Sequence, residues 1–375
     1  MERAELRALV RATGCAEERG AFSFLCDPKA ERPAILTDAA KGRTASENDG
    51  LGWLCIATGG TSGSVKFARH DEQTLAAAVA GFRAHFGVEQ VNAVDVLPPY
   101  HVSGLMARVR CAATGGEHIA WDWKRLETGE VPALREGRDW MISLVPTQLQ
   151  RLLTSGEAVA WLRRFRTIFL GGGPTWPDLA DAAAHAGLPV ALSYGMTETA
   201  AMVTALRPEE FLAGMRSCGT RLPHARVRLN AEGVVAIESA SLFRGYWPDE
   251  RAGQEFVTED LGRFDATGHL HLLGRRDAVI ITGGKKVQPA DVEAALRASG
   301  EFIDVAVLGV PDPEWGEAVV ACYLATERKP DLTRAIARLA PHERPKRFVP
   351  IANWPRNAQG KMSRAELRAL TESIR

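Results

Sequence analysis

The chain has 375 residues, of which 46% are apolar and 25% charged, the make-up of a globular protein long enough for two domains. Lys plus Arg and Asp plus Glu both number 46, and that balance argues against nucleic acid or an anionic membrane as the main partner. The cysteines show neither CxxC spacing nor a His at zinc-ligand distance, so they read as reduced thiols. Charges interrupt the opening MERAELRALVRATG and no apolar run reaches the ~18 residues of a membrane span, so a cytoplasmic protein without membrane insertion is expected.

Residues 1–13 place Leu6, Leu9 and Val10 on one side and predict an amphipathic helix, whereas 14–50 predict no regular element. A short strand at 51–57 runs into a Thr/Ser/Gly loop, and an Ala-rich helix follows at 71–86 with Asp71 as N-cap. Strands are then expected at 91–97, 140–145, 167–170 and 189–193. They alternate with helices at 103–112, 147–153 and 177–186, the pattern of a parallel α/β layer. Beyond 216 the short runs 226–229, 234–238 and 269–273 predict antiparallel hairpins. Strands at 279–282, 303–310 and 318–325 with helices at 289–299 and 332–339 complete the chain. The expected fold class is α/β: a large N-terminal α/β domain with a small β-barrel-like subdomain, then a small C-terminal α+β domain.

Several segments carry candidate chemistry. In Thr58-Gly59-Gly60-Thr61-Ser62-Gly63-Ser64-Val65-Lys66, the glycines can turn backbone N–H groups outward, the hydroxyls add donors and Lys66 adds charge. This suits a polyphosphate, and a flexible surface loop is the competing reading; no Walker A spacing is present. His101, in Leu97-Pro-Pro-Tyr-His101-Val-Ser-Gly, follows a predicted strand end, where α/β proteins place ligand groups. A structural histidine on a loop is the competing reading, and the better one for any lone His. Gly171, Gly172 and Gly173 also follow a strand and could let a flat ring lie against the backbone, or make a plain turn.

Ser193-Tyr194-Gly195-Met196-Thr197-Glu198-Thr199 groups an aromatic, hydroxyls and a carboxylate. Tyr194 could stack on a base and Glu198 could hold Mg²⁺, a hard cation that shares oxygen ligands with phosphates; alternatively Thr and Glu merely cap a helix. Asp260, on a turn, could take both hydroxyls of a ribose, with Arg275 reaching the same sugar or a phosphate. Lys361 follows Gly360 near the chain end, where a positive charge could approach a displaced phosphate, or simply be solvated.

In this order the segments resemble the adenylate-forming superfamily of acyl-CoA synthetases, luciferases and peptide-synthetase adenylation domains, from about residue 51 to 364. The resemblance implies an N-terminal adenylation core over 1–276 and a mobile C-terminal domain over 277–375, hinged at Asp277. It implies ATP, Mg²⁺ and coenzyme A as ligands and a small-molecule carboxylic acid as substrate. Thr58 to Lys66 would bind the phosphates, Gly171 to Gly173 and Tyr194 the adenine, with Gly195 and Met196 in the same motif. Thr197 would contact phosphate, Glu198 the Mg²⁺, and Asp260 and Arg275 the ribose. Lys361 would bridge the carboxylate and the α-phosphate, His101 would lie near the acyl pocket, and Lys285 would come to the site for thioester formation.

Within the superfamily the chain is most similar to o-succinylbenzoate–CoA ligases, especially the short cyanobacterial type, through 144–153, 194–202 and 101–106. Gly59 stands where Ser is usual, Val65 where Pro is common, and the stretch before the loop is shorter than in most members. Other readings are a ligase for another aryl or fatty acid, a carrier-protein-loading enzyme, or a nucleotide-binding protein without turnover. The oligomeric state is left open.

Overall fold

The computed structural model describes residues 1–29, 33, 36, 51–58, 65–251, 253–355 and 362–373. These fall into two compact units, one within 1–59, 64–258 and 263–271, the other within 259–262 and 272–375.

The first unit centres on a seven-stranded sheet in the order Thr220–Arg221, Ala201–Ala205, Val190–Met196, Thr167–Leu170, Trp140–Leu144, Asn92–Asp95, His118–Ala120. The pairings from Val190–Met196 to His118–Ala120 are parallel, and Ala201–Ala205 is antiparallel to its neighbours. Helices make the crossovers, as the alternation predicted. Thr167–Leu170 is buried throughout, which is why it reads as an unbroken apolar run rather than as an alternating strand. Ile142, Leu144, Ile168, Leu170 and Val190 join Trp140 and Trp161 in one core, and burying each such side chain contributes roughly 1.5–3 kcal/mol.

A second sheet runs Ala16–Arg19, Phe22–Leu25, Leu54–Thr58, Lys66–His70. Its first two strands form a hairpin within the stretch for which no element was expected; each is short, and Ala16–Arg19 has no buried residue, so alternation is weak there. Glu72–Phe86 is the expected helix, and the Asp71 carboxylate accepts the N–H groups of Gln73 and Thr74 at 3.1 and 3.0 Å. A third sheet follows the order Ala225–Leu229, Val234–Ser239, Glu255–Phe264, Leu270–Arg275, and the chain passes between the two units within its last two strands.

The second unit carries a five-stranded sheet of Lys285–Val287, Ile280–Thr282, Gly316–Leu324 and Val305–Asp312, with Arg347–Ile351 parallel to Gly316–Leu324. Helices Pro289–Ala298 and Arg364–Ser373 accompany it. The helix expected over 332–339 is confined to Leu332–Ala335, because Ile336 leaves helical backbone angles. Among the described residues no helix is long and apolar enough to cross a membrane. All six cysteines are free, and Cys55, Cys111 and Cys322 are buried.

Candidate active site

The Gly/Ser loop joins two paired antiparallel strands. Thr58 ends one, Lys66 begins the other, and the two stand opposite each other in register. The loop is therefore clamped at its base by a sheet; Gly59, Gly60, Thr61, Ser62 and Gly63 lie outside the described residues. Thr58 is buried and Lys66 exposed. The Lys66 ammonium sits 5.2 Å from the centre of the Tyr246 ring.

Glu198 is presented from the short 3₁₀ turn Thr197–Thr199, against which Leu54–Thr58 and Lys66–His70 both pack. The turn is tightly determined. Ala200 and Ala201 have φ of 52° and 87°, left-handed values that are costly for residues with a Cβ. At Gly195 an added Cβ would lie 2.0 Å from the Ala201 carbonyl oxygen, so only glycine fits there. The Met196 N–H donates to the Thr199 hydroxyl at 3.0 Å. The half-buried Tyr246 hydroxyl donates to Glu198 Oε1 at 2.6 Å. Burial and the adjacent Glu198 charge raise the phenol's pKa, so it stays a donor.

Behind the turn lies a fully buried histidine. His70 Nε2 is 2.8 Å from the Thr197 carbonyl oxygen and Nδ1 is 3.1 Å from the Thr74 hydroxyl. A carbonyl only accepts, so the ring carries its proton on Nε2. Burial lowers its pKa to about 4 and keeps it neutral. Next to it, burial alone would raise the pKa of Asp71. Hydrogen bonds from Arg244, at 2.7 and 3.2 Å, and from the Thr74 and Gly52 N–H groups outweigh that and hold it below the usual carboxylate range.

The other sites expected in this unit are arranged around the sheet. Gly171 follows Thr167–Leu170, and an added Cβ would stand 3.3 Å from Ser193 Oγ, which brings the glycine run beside the strand end that carries Tyr194. Gly172 takes φ 77° and Gly173 is exposed. Tyr194 is buried among Val203, Ala225 and Val235. His101 is the N-cap residue of helix Val102–Thr114, its ring 4.6 Å from that of Tyr100. Gly104 allows the first turn of that helix to touch the Pro98 carbonyl, 2.4 Å from where a Cβ would stand.

On the same helix Arg110 is buried over the Phe82 ring at 4.2 Å, and burial lowers its pKa to about 10. Among the described residues no carboxylate reaches it. Arg207, in contrast, donates twice to the His85 carbonyl, at 3.2 and 3.1 Å.

The second unit brings Asp260, Arg275 and Asp277 together, with Asp260 inside the paired strand Glu255–Phe264 and not on the expected turn. Arg275 grips Asp277 with two bonds of 2.8 and 2.7 Å and reaches Asp260 at 3.4 Å. The bond to Asp277 raises the guanidinium's pKa further. Arg276 makes a matching two-bond pair with Glu259 at 3.0 Å. Lys285 starts a strand after the Gly283-Gly284 turn, where both glycines have positive φ, as a two-residue hairpin requires. Lys361 lies outside the described residues.

Among the described residues no group of three or more His, Cys, Asp or Glu side chains could enclose a metal ion. A single buried carboxylate such as Glu198 fits Mg²⁺, which takes most of its ligands from phosphates and water. His70 and Tyr246 were absent from the motif reading. His70 lies 127 residues from Thr197, and only the folded chain joins them.

Residues 32–247 match the AMP-binding enzyme family, and residues 291–361 match the AMP-binding enzyme C-terminal domain. The chain is 31% identical over 335 residues to the 2-succinylbenzoate–CoA ligase of Enterococcus faecalis, covering 84% of this chain and 68% of that protein. The enzyme of that name from Geobacillus kaustophilus is 31% identical over 341 residues, with coverage of 84% and 68%. Among solved structures, o-succinylbenzoate CoA synthetase (MenE) from Bacillus subtilis in complex with the acyl-adenylate OSB-AMP superposes with a TM-score of 0.73 at 26% identity, covering 85% of this chain and 69% of that one. ATP-bound MatB from Rhodopseudomonas palustris gives 0.72 at 26% identity, with coverage of 86% and 68%. The chain belongs to the AMP-binding enzyme family.

Proposed function

We propose that this protein is a cytoplasmic AMP-forming acid–thiol ligase that converts o-succinylbenzoate to its coenzyme A thioester. One oxygen of the substrate carboxylate attacks the α-phosphorus of ATP, the bond to the bridging oxygen breaks, and pyrophosphate leaves. The thiolate of coenzyme A then attacks the acyl carbonyl and AMP departs with the carboxylate's oxygen. A carboxylate is already ionised at neutral pH, so the first step needs no general base. Positioning and charge carry the catalysis.

In this reading Thr58 and the loop through Lys66 cradle the phosphates, and Gly171 to Gly173 with Tyr194, Gly195 and Met196 hold the adenine. Thr197 meets phosphate, Asp260 and Arg275 take the ribose, and His101 borders the acyl pocket. Glu198 would hold Mg²⁺, which when bound would supply positive charge to the phosphates. Lys361 serves adenylation. Rotation of 277–375 about Asp277 then exchanges it for the face around Lys285, so that two incompatible surfaces serve one site in turn.

The observation that carries the reading is the cluster in the first unit. A lysine at the foot of a Gly/Ser loop and a buried carboxylate on a strained turn share one tyrosine. ATP–pyrophosphate exchange across an acid panel tests the reading: exchange should be strongest with o-succinylbenzoate, followed by AMP release on adding coenzyme A. Preference for another acid would reassign the substrate, and release only with a carrier protein would reassign the acceptor.

A further inference from the structure

We infer that Tyr246 is a positioning residue that keeps Lys66 and Glu198 apart and aimed, an inference that rests on the adenylation reading above. A lysine and a carboxylate that border the same side chain can pair and cancel each other's charge. Tyr246 stands between them. Its hydroxyl occupies Glu198 Oε1 at 2.6 Å, while its ring face takes the Lys66 ammonium at 5.2 Å. Among the described residues Lys66 has no carboxylate partner, and the Glu198 carboxylate accepts no hydrogen bond other than that of Tyr246. The cation thus stays free for an anionic phosphate, and Glu198 Oε2 for a divalent cation.

The segment that carries Tyr246 is fastened to both charges. Tyr246 forms an antiparallel bridge with Ala68, two residues beyond Lys66. The Trp247 N–H donates to the Phe67 carbonyl at 2.8 Å, and the Arg69 N–H donates to the Gly245 carbonyl at 2.9 Å. At the other end the Phe243 N–H donates to the backbone carbonyl of Glu198 itself at 2.8 Å. One short stretch therefore fixes the lysine's strand, the turn that presents the glutamate and the spacer between them. Left as a free side chain, Glu198 would spend rotamer entropy on each binding event; held, it is pre-organised.

The test is calorimetric titration of the full-length protein with ATP at stepped Mg²⁺ concentrations, without acid, so that no turnover is needed. Tyr246→Phe keeps the ring and loses the hydroxyl. It should raise the Mg²⁺ concentration for half-maximal ATP binding about tenfold, the scale of one hydrogen bond to a charged group, and leave ATP affinity at saturating Mg²⁺ within about twofold. Tyr246→Leu removes both contacts and should weaken ATP binding even at saturating Mg²⁺.

A Tyr246→Phe curve that overlays the wild type would overturn the inference. A double-mutant cycle gives a check that does not depend on the fold's tolerance of one variant. In a Glu198→Ala background Tyr246→Phe should leave the Mg²⁺ dependence unchanged, and an undiminished further shift would show that the tyrosine does not act through Glu198. Wild-type protein that neither binds ATP nor exchanges pyrophosphate with any acid would instead refute the adenylation reading itself.

Discussion

His70 donates its ring Nε2–H to the carbonyl oxygen of Thr197 at 2.8 Å, tying the end of the strand that begins at Lys66 to the turn that presents Glu198. His70→Phe keeps an aromatic ring but leaves that carbonyl without its donor, an expected cost of about 1–3 kcal/mol. Thermal unfolding should register the loss, and pyrophosphate exchange should fall at least tenfold as the turn loosens. Unchanged exchange would mean that the turn holds itself.

The same histidine predicts an acid sensitivity. Its folded-state pKa is about 4, against 6.5 for an ordinary imidazole. The unfolded chain therefore takes up this proton first as pH falls. Stability is full above about pH 6.5 and erodes toward pH 4, by roughly 3 kcal/mol from His70. His224, also lowered to about 4 by burial, acts in the same direction. Urea unfolding at stepped pH should show this slope for the wild type and a shallower one for His70→Phe. Equal slopes would place the titration elsewhere.

Arg110 is a buried cation with no carboxylate in reach among the described residues, which is expensive unless a ligand completes it. o-Succinylbenzoate has a second carboxylate that does not react. Arg110→Met should therefore raise the melting temperature yet raise KM for this acid about tenfold or more, with KM for ATP little changed. A destabilised variant with unaltered KM would make Arg110 purely structural.

The two-surface scheme predicts a split at Lys361. Lys361→Ala should abolish acyl-AMP formation while leaving thioester formation from supplied acyl-AMP nearly intact. Equal loss in both half-reactions would contradict the rotation about Asp277.

What the sequence disclosed follows from where burial is one-sided or complete. The strand Thr167–Leu170 was legible to the residue because it is wholly buried and ends at glycine. Glu255–Phe264 escaped notice because only Thr258 and Gly262 are buried along it, so neither face is apolar. The helix Arg364–Ser373 was likewise missed, since Leu367 and Thr371 are its buried side chains among those described and leave a thin stripe. In the site, residues contiguous in the chain, such as Tyr194 to Thr199, announced themselves. His70 and Tyr246 did not, since each matters through a partner supplied by a distant segment.

In this mechanism the acid's own oxygen attacks the α-phosphorus. Turnover of acid labelled with ¹⁸O in the reacting carboxylate, in the presence of ATP, Mg²⁺ and coenzyme A, tests it directly by mass spectrometry of the products. A single ¹⁸O is expected in each AMP and none in pyrophosphate. Label in pyrophosphate or inorganic phosphate, or ADP as the nucleotide product, would contradict it.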